Sequence, residues 1–249
     1  MKKEELIKIA KPVLFNTEMV RAIMNGTKSC TRRIIKPNSI IGLKPDKCRT
    51  GMPEELVQEK KLLFIPYCNM TDCELVQSAY KQKYEVGDIL YVRETWQCWR
   101  AHRYEANADI RFRAGGEGVR LEFANGNTDS VDRFDYDNFV NKWFSHNGEW
   151  KPSLFMPKQA ARIFLKVTGV RAERLQDITE KQAIKEGCQA GSFEYQGAVW
   201  GQEDFDEWTA VDAFKEVWNS TIDKKESDRY GWDANPWVWV YEFEVLNYE

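Results

Sequence analysis

The residue types with the clearest chemical potential lie in residues 28–36, where four cations occur within nine positions and no acid interrupts them. Lys28 and Thr31 are three residues apart in this segment. A threonine hydroxyl becomes a nucleophile when a nearby base takes its proton. A lysine can be that base if desolvation and neighbouring cations lower its pKa. Arg32 and Arg33 are such cations, and both are also candidates for substrate binding.

The geometry of this segment limits what it can do. Residues three apart in a regular strand point to opposite faces, so Lys28 and Thr31 share a pocket only if the chain is irregular between them. Gly26 favours a turn that can place Lys28 outside the regular strand. The alternative interpretation is a solvated basic strand edge without chemistry.

A second group follows a predicted buried strand in the segment VRETW. Glu94 at a strand end can accept hydrogen bonds from the exocyclic amine of a base, and Trp96 can stack on its face. Arg93 completes this predicted binding group. The alternative is a buried Arg93–Glu94 structural pair beside a core tryptophan.

Three further residues belong to the predicted pocket region. Arg162 is either a cation for a phosphate or a salt-bridge residue at a strand edge. Ser153 is placed at the mouth of the pocket, and Met156 is a residue for which core packing is favoured.

The cysteine pattern gives little support for a metal site. Cys48, Cys68 and Cys73 are close in sequence, but zinc sites usually combine CxxC pairs with a histidine, and the chain has only His102 and His146. We therefore expect free thiols in a reducing, cytoplasmic compartment. The charged N-terminal segment does not resemble a secretory signal.

The elements that must position these residues follow from hydrophobic spacing and capping signals. Helices are predicted after Asn16, ending at Gly26, and after the Thr179–Gln182 capping box, ending at Gly187, and a longer amphipathic helix covers residues 208–222. Predicted strands cover residues 29–35, 62–65, 89–94, 110–113, 119–123, 162–170 and 237–246. The mixture without regular βαβ alternation predicts an α+β fold, most simply a small β-barrel with helices outside.

Composition excludes several classes of protein. The 249 residues include 36 Lys and Arg against 39 Asp and Glu, and the net charge is −3. This balance argues against a protein that coats nucleic acid non-specifically. The 43% hydrophobic and 13% aromatic content excludes a disordered chain, and no apolar run is long enough for a membrane span.

Four dispersed segments carry a family resemblance: KPVLFNTEMVRAIMNGTKSCTRRIIKP, VGDILYVRETW, PSLFMPKQAARIFLKVTGVRAERLQDITEKQAIKEG and YGWDANPWVWVYEFE. The spacing GxKxxTxR resembles the signature of the ASCH family of PUA-like β-barrels, and the whole chain resembles phage and prophage ASCH proteins. The commoner ASCH form has Glu where this chain has Thr31. Thr at that position resembles the small bacterial N4-acetylcytidine amidohydrolases.

The resemblance implies a single ASCH domain over residues 1–249, with insertions at about 37–83 and 97–150 that the short amidohydrolases lack. Their catalytic lysine and threonine correspond to Lys28 and Thr31, and their catalytic glutamate corresponds to Glu186. Glu186 then either holds the lysine or shuttles a proton to the departing amine. A close carboxylate also raises the pKa of a lysine, so these two roles stay open. The alternative for Glu186 is an exposed acid at a helix end.

Three functions are compatible with these residues. The resemblance implies hydrolysis of the amide of an N4-acylated cytidine-like substrate, without a metal or organic cofactor. The basic segment and Trp96 fit equally well a non-catalytic PUA-like module that binds a nucleoside, nucleotide or RNA. A third reading is a phage-encoded protein whose insertions contact a host protein.

Overall fold

The computed structural model describes residues 1–35, 82–123, 131–145, 147–189 and 209–248. In these ranges the chain contains both helices and strands. The α-helices are α1 (Lys3–Ile9), α2 (Thr17–Met24), α3 (Val131–Trp143), α4 (Glu180–Lys185), α5 (Ala210–Thr221) and α6 (Ser227–Tyr230). The strands are β1 (Lys11–Leu14), β2 (Cys30–Ile34), β3 (Ile89–Arg93), β4 (Trp96–His102), β5 (Asn107–Phe112), β6 (Val119–Glu122), β7 (Phe164–Arg174) and β8 (Trp237–Val245).

Residue contacts divide the chain into two compact units, each assembled from separate stretches. The first unit comprises Met1–Thr27, Gly87–Lys166 and Glu244–Glu249. The second unit comprises Lys28–Val86 and Val167–Phe243.

One sheet of the first unit joins β1 and β3 in parallel, with Val13 opposite Val92, and β3 runs antiparallel to the first residues of β7. The strands β4, β5 and β6 form a separate antiparallel sheet in that order. Apolar side chains from one face of the latter sheet, including Trp96, Ile110 and Phe112, pack into the core of this unit.

The β4–β6 sheet and α3 occupy much of residues 97–150, where the resemblance implies an insertion. The strands predicted at residues 110–113 and 119–123 are confirmed, and they pair antiparallel as parts of β5 and β6. Residues 131–143 lie outside the predicted helices and strands, yet they form the helix α3. The aromatic side chains of this helix explain why it forms: Phe139 and Trp143 pack against Trp96 of the core.

The second unit pairs β2 antiparallel with β8, with Thr31 opposite Tyr241. The remaining part of β7 is the third strand of this arrangement, in the order β7-β8-β2. Helices α4 and α5 supply a core of apolar side chains, and Phe214 and Trp218 of α5 are buried as its amphipathic pattern predicts. The start of α5 is fixed by the Glu180 carboxylate, which accepts a hydrogen bond from Ala210 N at 2.7 Å.

Local signals in the sequence set the helix ends. Asn16 Oδ1 accepts a hydrogen bond from Met19 N at 2.8 Å, as expected of an N-cap. Thr179 and Gln182 form the predicted capping box of α4. Gly26, two residues beyond α2, has a φ of 74°, a left-handed conformation that glycine adopts without steric cost.

The α+β class is therefore confirmed, and the strands of the described ranges do not close into a barrel. The predicted strand at residues 62–65 and nearly all of the insertion at 37–83 lie outside the described residues. None of the helices described here combines the length and apolar character that crossing a bilayer requires.

Candidate functional site

The structure brings Lys28 and Glu186 together from chain positions 158 residues apart. Their backbones form an isolated antiparallel bridge, and Ser29 N donates to Lys185 O at 2.8 Å beside it. The Lys28 Nζ donates to Glu186 Oε2 at 2.6 Å and to the Glu186 backbone oxygen at 2.8 Å. Lys28 is 2% exposed and Glu186 6%, so this ion pair is excluded from bulk water.

A buried arginine shares the same carboxylate. Arg32 Nη1 donates to Glu186 Oε1 at 3.1 Å, and Arg32 Nη2 donates to Glu173 Oε1. The network continues through Arg171, which donates to Glu173 Oε2 at 2.9 Å and to Glu242 Oε1 at 2.7 Å. We call Lys28, Arg32, Arg171, Glu173, Glu186 and Glu242 the buried charge network; its inner four members are buried, and Arg171 and Glu242 at its outer end are half-buried.

The charges of this network balance, with three cations and three carboxylates. Balance is required because an unpaired buried charge is very costly. The network also affects a neighbouring thiol: burial, reinforced by the Glu186 carboxylate, raises the pKa of Cys30 to about 12. Cys30 is therefore a thiol in neutral solution and not a nucleophile.

Thr31 lies on the other side of its strand. Its neighbours in β2, Cys30 and Arg32, both face the region of α4. Cys30 Sγ lies 3.9 Å from Gln182 O of this helix, and Arg32 contacts Glu186, the residue that follows it. Successive side chains of a strand point to opposite faces, so the Thr31 side chain points away from this region. The structure thus brings Lys28 and Glu186 together and does not bring Thr31 to the same side.

The opposite face of β2 carries Arg33 together with Thr31. Burial lowers the pKa of the Arg33 guanidinium, while Tyr84, Glu186 and Tyr241 act in the opposite direction. The Tyr241 hydroxyl accepts a hydrogen bond from Lys83 N at 3.1 Å, and its ring meets Tyr84 edge-on at 5.1 Å. Burial raises the pKa of Tyr241 to about 12.

The remaining predicted binding residues belong to the first unit. The Glu94 carboxylate is held by Arg162, whose Nε and Nη2 donate at 2.9 and 2.8 Å. The Arg162 guanidinium also donates to Glu117 O at 2.8 Å and lies over the Phe112 ring at 4.1 Å. Glu94 thus pairs with Arg162 and not with its chain neighbour Arg93. Burial raises the pKa of Glu94, although the hydrogen bonds from Arg162 oppose this shift.

Trp96 is a core residue in this structure rather than a stacking platform, because it is fully buried and packs against Trp143 at 5.4 Å. Met156 is likewise buried, and its sulfur accepts a hydrogen bond from Glu94 N at 3.4 Å. Ser153 is half-buried, and its backbone oxygen accepts from Met156 N. The Nε of Arg93 is buried and has no hydrogen-bond partner among the described residues.

A cleft of about 480 Å³ lies in the first unit and is lined in part by Arg162. Lys3 and Arg120 add cationic side chains to the cleft, and Tyr248 adds an aromatic ring. Arg162 is already occupied by Glu94, which limits its capacity to bind a phosphate.

Metal ligands do not gather in the part of the chain that the structure describes: no three His, Cys, Asp or Glu side chains there are placed to hold an ion. The candidates Cys48, Cys68 and Cys73 lie outside the described residues. Burial raises the pKa of Cys98 and of Cys188 to about 11 each.

Sequence reasoning missed Glu173, Arg171 and Glu242. Glu173 and Arg171 alternate along β7, and Glu242 lies in β8, so strand periodicity places each on a face. The sequence does not give the strand order, so it does not show that these faces lie together.

No family model, curated protein or solved structure matches this chain.

Proposed function

We propose that this chain is an ASCH-type protein that recognises a nucleobase or nucleoside through the buried charge network of its second unit. One observation carries the proposal: a single carboxylate, Glu186, holds both the buried Lys28 amine and the buried Arg32 guanidinium. The family resemblance singles out Lys28 and Glu186 independently of their contact in space.

The network offers the donors and acceptors that a base edge requires. Lysine and arginine donate to ring nitrogens and carbonyl oxygens, and carboxylates accept from exocyclic amines. Arg32 Nε is a buried donor without a hydrogen-bond partner among the described residues. A site of buried polar groups discriminates strongly between ligands, because a ligand that lacks one group leaves its partner unpaired.

A purely structural role is the competing explanation. In that case the network joins β2 to the end of α4 and has no ligand. Buried ion pairs contribute little net stability compared with apolar residues of the same volume. A cluster of buried charges is thus a candidate for a functional role, which binding measurements can test.

The first experiment is a thermal-unfolding screen with cytidine, N4-acetylcytidine, uridine, adenosine, guanosine and their 5′-monophosphates. A ligand at about 100 times its Kd stabilises the folded state by about 2.7 kcal/mol. For a chain of this size that corresponds to a rise in Tm of roughly 5–10 °C. We expect at least one member of the panel to raise Tm, and a screen without any rise would contradict the proposal.

The matched variants separate binding from folding. The double substitution Lys28→Met/Glu186→Gln removes one charge of each sign and keeps the side chains similar in size. We expect the ligand-induced rise in Tm to disappear in this variant. Lys166→Met is the control, because Lys166 is an exposed lysine whose Nζ lies 3.6 Å from a carboxylate oxygen of Glu244. It should retain the full rise.

Hydrolysis of an N4-acylated cytidine is the second candidate. The Lys28–Glu186 contact favours it, since the resemblance assigns catalytic roles to both residues. The strand geometry opposes it, since Thr31 points away from them. An ammonium group that donates to a buried carboxylate also has no lone pair with which to take the proton of a hydroxyl.

Chromatographic detection of cytidine released from N4-acetylcytidine distinguishes the two candidates. If the protein only binds, the wild type releases no cytidine above a protein-free control. Turnover that is lost in Thr31→Val, in a protein that still binds the nucleoside, would establish hydrolysis through Thr31 instead.

A further inference from the structure

Two tryptophans and two arginines form a contiguous row on the outer face of the β4–β5 hairpin in the first unit. Trp99 occupies the irregularity between Cys98 and Arg100 in β4. The Arg100 guanidinium carbon lies 4.0 Å from the centre of the Trp99 ring. The Arg111 guanidinium carbon lies 5.7 Å from the same ring and 5.5 Å from that of Trp150. We call Trp99, Arg100, Arg111 and Trp150 the Trp–Arg row.

The two arginines of the row are not neutralised by acids within the described residues. Neither Arg100 nor Arg111 forms an ion pair there, and Arg111 Nε donates to the uncharged Gln97 Oε1 at 2.6 Å. Asp109, a strand neighbour, is already paired with Arg120 at 2.8 Å. The row therefore presents two free guanidinium charges on a chain whose net charge is −3.

The two indoles of the row remain open to solvent. Trp99 is 36% exposed and Trp150 37%, whereas the opposite face of the hairpin supplies the core through Ile110 and Phe112. The hairpin thus packs its unit with one face and leaves the Trp–Arg row on the other. Core packing does not account for these two partly exposed indoles, which share the neighbour Arg111.

We propose that the Trp–Arg row binds a single-stranded polynucleotide. Bases stack on indole rings without regard to sequence, and guanidinium groups pair with phosphates and also stack on bases. Alternating rings and cations match the alternation of base and phosphate along a strand. A paired duplex hides the base faces, so the row favours single strands over duplexes.

This proposal is independent of the nucleoside site. All four residues belong to the first unit, and the buried charge network belongs to the second. Failure of one proposal leaves the other standing, because the substitutions and the probes differ.

The experiment is fluorescence anisotropy of a fluorescein-labelled twelve-nucleotide oligouridine with the full chain. We expect binding in about 50 mM salt that weakens about sevenfold in about 200 mM salt, as two phosphate contacts predict for single strands. Trp99→Leu should weaken binding about fivefold or more through lost stacking. Arg111→Gln should weaken binding and reduce the slope of log K against log salt by about 0.7.

The control Lys181→Gln makes the same charge change at an exposed residue of α4 and should bind like the wild type. Trp150→Leu replaces Trp99→Leu if circular dichroism shows that the latter misfolds. Three results would overturn the proposal: no binding in low salt, full binding by both tryptophan variants, or equal displacement of the probe by oligouridine and by a twelve-residue oligoglutamate. The last would identify an acidic protein segment as the partner.

Discussion

At the scale of the residue, the buried amine of Lys28 is satisfied by a carboxylate and a backbone oxygen of one partner. The Lys28 amine is held by two oxygens of Glu186, and Arg32 shares the carboxylate. Each partner is stabilised by the others, so the members of the network are expected to respond to mutation as a unit.

The first prediction concerns the cost of breaking this pair. Lys28→Met leaves Glu186 with Arg32 alone, and removing one partner of a buried ion pair costs about 3–5 kcal/mol. The double variant Lys28→Met/Glu186→Gln should recover part of this loss. Urea denaturation measures the free energy of unfolding of each variant. Additive losses in the double variant would contradict a coupled pair.

The second prediction uses the raised pKa of Glu94. Its folded-state pKa lies above the ordinary value of 4.5. Its contribution to stability is thus present below that value and is lost as pH rises through the folded-state pKa. Glu94→Gln does not titrate, so the free energy of unfolding of this variant should rise relative to that of the wild type as pH increases above the ordinary value of 4.5.

Urea denaturation at several pH values measures this difference. The unpaired Arg162 of the variant adds a constant penalty, because arginine stays charged throughout. A difference that stays constant or shrinks with pH would show that Glu94 has no raised pKa.

Residue identity could be predicted better than residue orientation. The resemblance placed Glu186 beside Lys28 although the two are 158 positions apart, and the structure shows their contact. The resemblance also places Thr31 beside Lys28. Thr31 can reach Lys28 only if the chain between them is irregular. Ser29 O already accepts a hydrogen bond from Phe243 N of β8, so the regular pairing begins before Thr31 and leaves no such irregularity.

At the scale of the element, residues with a strong turn preference predict where helices end. Gly26→Ala should cost about 1 kcal/mol, because a residue with a Cβ is strained at its φ of 74°. Apart from the two adjoining residues, no atom lies within 4 Å of the added Cβ, so the cost comes from the local backbone conformation and not from a clash with the rest of the protein. Gly26→Asn should cost less, since asparagine tolerates this region.

Chemical denaturation of the three proteins gives the ranking. The expected order of stability is wild type, then Gly26→Asn, then Gly26→Ala. An alanine variant as stable as the wild type would show that the left-handed turn is not maintained.

Elements with a strong period could be predicted, and those without one could not. The alternation of β8 and the apolar stripe of α5 match the structure. Helix α3 was missed because its segment, VDRFDYDNFVNKW, is rich in polar residues and lacks a clear apolar stripe. Its aromatic residues form a packing face only because Trp96 lies beside them, and the sequence does not show that contact.

At the scale of the whole molecule, the sequence predicts one domain, and contacts divide the chain into two units. Composition could not reveal this division, because the chain passes from one unit to the other several times. One of the crossings lies inside β7, between Lys166 and Val167. A strand shows no shift in composition at such a point.

Isothermal titration calorimetry with the best nucleoside from the thermal screen tests directly whether the buried charge network binds it. We predict measurable binding by the wild type and by Lys166→Met, and at least tenfold weaker binding by the folded Lys28→Met/Glu186→Gln variant. Wild-type affinity in the folded double variant would contradict the claim that this network recognises the base.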